Sequence, residues 1–523
     1  MTPGAAGTAP ANDNGKNGSP ALSQSMPPFE FASSAAELFR QGVRSHQSGR
    51  LDEAETAYRQ VLAIEPTHTD ALHLLGLSLH QRQQHEAGLD YIGRAIQLRG
   101  DRPHYYSNAA ITLQMLGRLD EAEACCRAAL HLKPDYLVAH NNLGLILRQA
   151  ARFEEAEAAY RAALRHKPDF AEAYNNLGNV LCQSGRHAEA EPAYRAALHL
   201  PAAPGLHDEA AYNLSLLLLV TGRLEEGWQH YERRFGRGGE VIRPFAVPMW
   251  DGKPAPDRVL LIHAEQGLGD TLQFCRYAPL VARSIRVVFE VQPALHRLLS
   301  NLPGIAQTIA YGDPLPAHDF HCPLLSIPRL VGTRVETIPG ETPYLAADPA
   351  LAGVWKQRLS ALDGVKVGLV WAGKIYEKGQ SAGGRDRRSI ALDQLAPLAA
   401  TDGVSFVSLQ LGPSAAQAAH PPKGMILHDF TTAIMDFADT AAVIANLDLV
   451  IAVDTSVAHL AGALGKPVFL LNRFDTCWRW LLDRDDSPWY PTLRQFRQKT
   501  LGDWAGVVAE LHQALTDFVR DRR

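Results

Sequence analysis

The chain has 523 residues, 46% hydrophobic and 20% charged, with a formal net charge of −5 at pH 7. That length allows about two to four domains of ordinary soluble composition. The mild negative charge gives no footprint for a nucleic-acid partner, and no apolar run is long enough to span a bilayer.

The opening stretch, MTPGAAGTAPANDNGKNGSPALSQSMPP, lacks a basic region followed by an apolar core. No signal peptide is expected there, and its Gly, Pro, Ala, Ser and Asn content predicts a disordered tail over residues 1–34. The six cysteines (Cys125, Cys126, Cys182, Cys275, Cys322 and Cys477) show no ligand spacing, which suits a reducing cytosol and predicts a cytoplasmic protein.

Residues 35–235 repeat with a period of 34, set by Pro134 and Pro168 and, at twice that distance, by Pro66. This register aligns LGLSLH, LGLILR and LGNVLC, and GRLDEAE twice with ARFEEAE and GRHAEAE. Tyr58, Tyr160 and Tyr194 share one position, as do Ala95, Ala129, Ala163 and Ala197. A period of 34 with early Leu-Gly, central Ala, then Tyr and Pro resembles the tetratricopeptide repeat, a pair of antiparallel helices. Five repeats and an imperfect sixth are predicted, with Gly-Arg at the turn inside each pair. The recurring asparagines Asn141, Asn142, Asn175, Asn176 and Asn213 are either polar residues of a helix surface or the lining of a concave groove that holds a polypeptide. The array supplies docking and no chemistry.

Residues 236–256, rich in Gly, Pro and Arg, predict a linker lying over a surface. After it, continuous β-branched runs at 259–264, 287–291, 367–372, 404–409, 449–453 and 468–471 predict buried parallel strands. Helical patterns lie at about 271–283, 392–400, 436–446 and 456–464. The fold class is therefore an α-solenoid followed by α/β. The blocks are 257–350 and 364–500, with a closing helix within 501–523.

Four segments could carry chemistry. EQGLGD places Gly267, Gly269 and Asp270 at the end of the first strand, where Asp270 either caps a helix or reacts. WAGKIYEKGQSAGGRDRRS presents Lys374, Lys378, Arg385, Arg387 and Arg388 as a solvated loop or a clamp on phosphate. In VIAVDTSVAHLAGALGKP a strand meets a helix whose first amides, at Thr455, Ser456 and Val457, form an anion site. Asp454 would cap or orient a neighbour, and His459 is either packed or a ligand contact. FDTCWRWLLDRDDSPWYPTLRQFRQ, read as a loop and a helix, holds Trp478 and Trp480, which either stack on a sugar or base or pack in the core. The His318–His321 spacing is not supported by a further ligand set, so no metal is expected.

Taken together, strand–GLGD–helix, strand–WAGK…RRS and DLVIAVDTSVAHLAGALGKPV resemble the family-nine glycosyltransferases, over about residues 250–505. Within that group the pattern is similar to bacterial proteins that fuse tetratricopeptide repeats to such a domain, including flagellin glycosyltransferases. The resemblance implies a GT-B pair of Rossmann-like blocks, with the acceptor on the first and a nucleotide-sugar donor on the second. It also implies inversion at the sugar carbon, no metal and no other cofactor. By position, Asp270 is the base. Asp454, Thr455, Ser456 and His459 hold the donor's phosphates, together with Lys374 or Arg388. Ser456 stands where the family has Gly, the first block is short, and lipid-acceptor features are absent. A polypeptide acceptor such as flagellin, docked on the repeats, follows from this reading. The alternatives are transfer to a glycan and a non-catalytic scaffold.

Overall fold

The computed structural model describes residues 34–236, 243–373 and 387–522, in two compact units that divide after Leu98. Lys374, Lys378, Arg385 and all of the expected tail except Ser34 lie outside the described residues. The first unit holds α1 (Ala35–Gln47), α2 (Leu51–Ile64), α3 (Thr69–Gln81) and α4 (His85–Leu98). Ser34 caps α1 by accepting from the Glu37 amide at 3.2 Å. The second unit opens with α5 (Pro103–Met115), α6 (Leu119–Leu132), α7 (Leu137–Gln149), α8 (Phe153–His166), α9 (Ala171–Gln183), α10 (His187–His199), α11 (Leu206–Val220) and α12 (Leu224–Tyr231).

Close packing inside each pair explains the repeated glycine and tyrosine. A Cβ at Gly42, Gly144 or Gly178 would lie 2.5–2.7 Å from the ring of Tyr58, Tyr160 or Tyr194. In α5/α6 the tyrosine position is Cys126 and the glycine position Ala110, both fully buried. The shorter side chain leaves room for the methyl group. The turn glycines Gly49, Gly117, Gly185 and Gly222 all have positive φ, which glycine adopts without strain. Three turn arginines reach the preceding pair: Arg152 donates to Glu123 at 2.6 Å, Arg186 to Glu157 at 2.5 Å and Arg223 to Glu191 at 2.7 Å.

The remainder of the second unit is built on two parallel sheets. The first contains β1 (Ala255–His263), β2 (Ile285–Val291), β3 (Gln307–Ala310) and β4 (Phe320–Pro323) in the order β3-β2-β1-β4. With it go α13 (Leu268–Phe274), α14 (Tyr277–Val281), α15 (Pro293–Leu299) and α16 (Ile327–Leu330). After α17 (Pro349–Arg358), the second sheet takes β5 (Val365–Val370), β6 (Val404–Ser408), β7 (Leu427–Asp429), β8 (Leu449–Val453), β9 (Val468–Asn472) and β10 (Leu493–Arg497) in the order β10-β9-β8-β5-β6-β7. Its helices are α18 (Phe437–Ala445), α19 (Ser456–Ala463) and the closing α20 (Trp504–Arg520). Every residue of β6, β8 and β9 is buried, as expected for strands covered on both faces.

Three local readings need correction. The expected helix at 271–283 is two short helices, because the buried Arg276 turns back and donates to the Gln273 carbonyl at 2.8 Å. The helix at 392–400 is a 3₁₀ helix with Pro397 inside it, which removes a donor. The segment 474–498 carries no α-helix, and its last residues form β10, paired in parallel with β9.

The last repeats share a core with the α/β region. Trp228 of α12 is buried, packs edge-on against Trp478 at 5.3 Å and donates to the Thr333 carbonyl at 3.2 Å. Just beyond α12, the buried Arg234 donates twice to Glu265 at 2.8 Å and once to Ser326 at 2.8 Å. The Leu482 amide donates to the Val220 carbonyl at the end of α11 at 3.1 Å.

Candidate functional site

The two glycines of the EQGLGD loop have distinct tasks. Gly267 precedes α13, and its amide donates to Asp270 Oδ2 at 2.9 Å. Asp270 therefore closes the first turn of its helix. Gly269 permits contact with α19: a Cβ there would lie 3.0 Å from His459 Cδ2 and 3.5 Å from Ser456 Cα. The loop and the start of α19 thus meet although they belong to different sheets. Gln266, at a φ of 58°, accepts from and donates to the Tyr231 hydroxyl at 3.2 and 3.1 Å, which ties the loop to α12.

The second Asp270 oxygen pairs with the Arg479 guanidinium. Both side chains are largely buried, at 16% and 11% exposure, and Arg479 also lies over the Trp478 ring at 4.2 Å. Sequence reasoning missed Arg479 because it sits among tryptophans read for stacking. Gln273, one turn after Asp270, is fully buried, with neither amide atom hydrogen-bonded among the described residues.

Across from the loop, Thr455 is the N-cap residue of α19, but its side chain makes no capping bond. Its hydroxyl oxygen is buried without a hydrogen-bond partner among the described residues. The amides of the first turn, including those of Ser456 and Val457, have no place in the helical ladder and carry the positive end of the dipole. Asp454 does not cap: its carboxylate faces His459 Nε2 at 3.9 Å. His459 is 4% exposed, bonded through Nδ1 to the Tyr490 hydroxyl at 2.9 Å and stacked on Trp480 at 5.1 Å. Burial and the neighbouring Arg479 push its imidazole down to about 3, so it is neutral. His459 is thus packed in the interior beside Asp454 and Gly269.

Two further groups of expected residues change their role. Trp480 is fully buried and offers no face for stacking on a ligand, and Trp478, 5% exposed, is packed in the interior with its remaining surface on the cavity after β9. The asparagines are joined in a ladder between repeats. Asn142 donates to Ser107 at 2.9 Å, Asn176 to Asn141 at 2.9 Å and Asn213 to Asn175 at 3.0 Å, while Asn141 and Asn175 donate to Glu172 and Glu209 at 2.8 and 3.2 Å. Asn141, Asn142, Asn175 and Asn176 are buried and brace neighbouring repeats, whereas Asn213 is half-buried and lines a cavity between the repeats and the loop after β9. Lys374 lies outside the described residues, and Arg388 is half-buried. Arg387 faces Asp475 at 3.5 Å.

No group of three or more His, Cys, Asp or Glu side chains that could hold a metal occurs among the described residues. Nor is any described helix long and apolar enough to cross a membrane.

Comparison with known proteins agrees with this layout. Residues 39–103, 104–133 and 141–207 match tetratricopeptide repeats, and residues 430–473 match glycosyltransferase family 9 (heptosyltransferase). The latter stretch runs through α18, β8, α19 and β9. Protein FlbA of Caulobacter vibrioides is 28% identical over 352 residues, which cover 60% of this chain and 57% of that protein. Tetratricopeptide repeat protein 7B of Homo sapiens is 33% identical over 103 residues, 20% of this chain and 12% of that protein. The chain thus spans little more than half the length of the first of these relatives and a small part of the second. Among solved structures, PilF of Pseudomonas aeruginosa is 17% identical, with a TM-score of 0.34, covering 39% of this chain and 93% of that one. The MamA protein is 22% identical, with a TM-score of 0.29, covering 32% and 98%. The chain therefore carries tetratricopeptide repeats in its N-terminal region and, in its second parallel sheet, a segment that matches glycosyltransferase family 9.

Proposed function

We propose that this chain is an inverting glycosyltransferase that moves a sugar from a nucleotide donor to a Ser or Thr hydroxyl of a protein docked on its repeats. The observation that carries the reading is the meeting of the Gly267–Asp270 loop with the start of α19, at a distance that leaves little room for a side chain at Gly269. One carboxylate and one anion-receptive helix start then border the same space.

The chemistry follows from that pairing. The donor phosphate rests on the first amides of α19 and the Thr455 hydroxyl, with Lys374 or Arg388 supplying positive charge. The acceptor oxygen attacks the anomeric carbon from the opposite side. The bond from that carbon to the phosphate oxygen breaks, its electron pair leaves with the nucleotide, and Asp270 takes the hydroxyl proton. The carboxylate oxygen facing Arg479 is occupied in this structure. It becomes available when the guanidinium turns toward the incoming phosphate. A resident metal is not invoked in any of these steps. Flagellin is one acceptor consistent with the sequence resemblance.

The experiment compares intact protein masses in cells expressing the full chain and the Asp270→Asn variant, with donor binding measured on both purified proteins. The expected result is a sugar-sized mass on at least one protein, transferred roughly 10²–10⁴-fold more slowly by the variant, with donor binding kept. Wild-type transfer by Asp270→Asn would remove the assignment of the base.

A further inference from the structure

A cavity of about 270 Å³ opens where the repeats meet the loop after β9. In the second unit α5, α7, α9 and α11 contact one another in succession, which makes theirs the closer, inner layer of the array. Asn179, Gln183 and Leu216 enter the cavity from α9 and α11, and Arg473, Asp475 and Cys477 from the loop. Neither half of the molecule forms this site alone.

Three buried polar atoms at the cavity lack a hydrogen-bond partner among the described residues: Gln183 Oε1, Arg473 Nε and Asp475 Oδ1. The last two lie 3.5 Å apart without hydrogen-bond geometry, and the other Asp475 oxygen is 3.5 Å from Arg387. The Arg–Glu pairs on the repeats are tighter, at 2.6 Å for Arg152 and Glu123. Arg473 and Asp475 form a loose ion pair, and with the side-chain amides of Asn179, Gln183 and Asn213 the lining offers donors and acceptors together, which specifies a ligand that offers both kinds of bond. The alternating N–H and C=O of an extended polypeptide does so. A phosphate does not, because it would face the Asp475 carboxylate and the Gln183 carbonyl oxygen. The volume is below the roughly 300–1,000 Å³ of drug-sized sites, which suits one or two residues rather than a nucleotide. The cavity also adjoins the reacting carboxylate: Arg479 donates to Cys477 Sγ at 3.1 Å and pairs with Asp270.

We infer that this cavity is the acceptor subsite, through which an extended polypeptide passes from the inner layer of the repeats toward Asp270. Backbone N–H groups pair with Gln183 and Asp475, and a backbone carbonyl pairs with Arg473. The inference rests on the protein-acceptor reading above and moves the point of docking from the asparagine ladder to this cavity, which Asn213 alone of the five lines.

The test uses the full chain and an array of Ser- and Thr-containing dodecapeptides as the probe. Cys182 and Cys477 line the cavity and Cys125 does not, so alkylation by N-ethylmaleimide, read by mass spectrometry, reports occupancy. The expected result is a retained subset of peptides that slows alkylation of Cys182 and Cys477 and leaves Cys125 unchanged. Gln183→Leu and the cavity-filling Leu216→Trp should each weaken that binding roughly tenfold while nucleotide-sugar binding is kept. Retained peptides that leave both thiols unprotected would overturn the subsite and spare the protein-acceptor reading. Protection by nucleotide sugars instead of peptides would reassign the cavity to the donor. An array with no retained peptide would overturn both proposals.

Discussion

Asp270 holds two partners, the Gly267 amide and the Arg479 guanidinium, and each predicts a different consequence of mutation. Removing Arg479 leaves a carboxylate with little solvent and no counter-charge, so Arg479→Met should destabilise the chain by about 3–5 kcal/mol in urea unfolding. A loss below about 1 kcal/mol would show that the pair is not a structural contact. Two buried histidines set the acid limit of stability. His459 and His263 are each pushed down to about 3, chiefly by burial, whereas a free imidazole titrates near 6.5. Between those values the unfolded chain binds protons that the folded chain does not. Stability should therefore fall as pH drops from about 6.5 toward 3, by about 1–2 kcal/mol per histidine at pH 5. Unfolding curves at a series of pH values check this, and His263→Phe should flatten the dependence. At this scale the sequence was only partly legible. Asp270, Gly269 and Ser456 could be placed because glycines and a helix start leave a local pattern. Trp478, Trp480 and the asparagines could not, because a tryptophan in a core and one on a sugar site have the same local sequence. Their partners (Trp228, Ser107, Glu172) come from elsewhere in the chain.

Among the elements, the repeat turns make the sharpest forecast. Ala151 holds a φ of 62° where the equivalent turns use Gly49, Gly117 and Gly185. A left-handed alanine costs about 1–2 kcal/mol, so Ala151→Gly should stabilise the chain by about 1 kcal/mol. An unchanged unfolding midpoint would count against that strain. Conversely, Gly144→Ala forces a methyl group to 2.5 Å from the Tyr160 ring and should cost about 1–3 kcal/mol. The helix pairs were legible because their period is internal and repeated. The central strands were legible as β-branched runs buried on both faces. The short β3, β4 and β7 were not, since three or four partly exposed residues carry no clear period. β10 was hidden behind the tryptophans that precede it.

For the whole molecule, what matters is how the last repeats join the α/β region. The stretch after α12 reads as a linker over a surface, and Trp228 and Arg234 just before it are buried against the α/β region. Deleting 35–235 should therefore expose Trp478 and Phe274 and abolish cooperative unfolding. A fragment of residues 99–523, which coincides with one compact unit, should fold cooperatively and keep donor binding. Cooperative melting of the larger deletion would contradict the shared core. On the proposed function, repeats fixed in that core would set the acceptor's position without a loose tether.

The most direct test of the account is calorimetric titration of a panel of nucleotide sugars into the full chain and two variants at α19. The account predicts that at least one nucleotide sugar binds the wild type, and that Thr455→Val weakens it. Ser456→Asp, which suits a helix start but repels phosphate, should abolish binding. Binding that is unchanged in Ser456→Asp, or no binding by any member of the panel, would contradict the account.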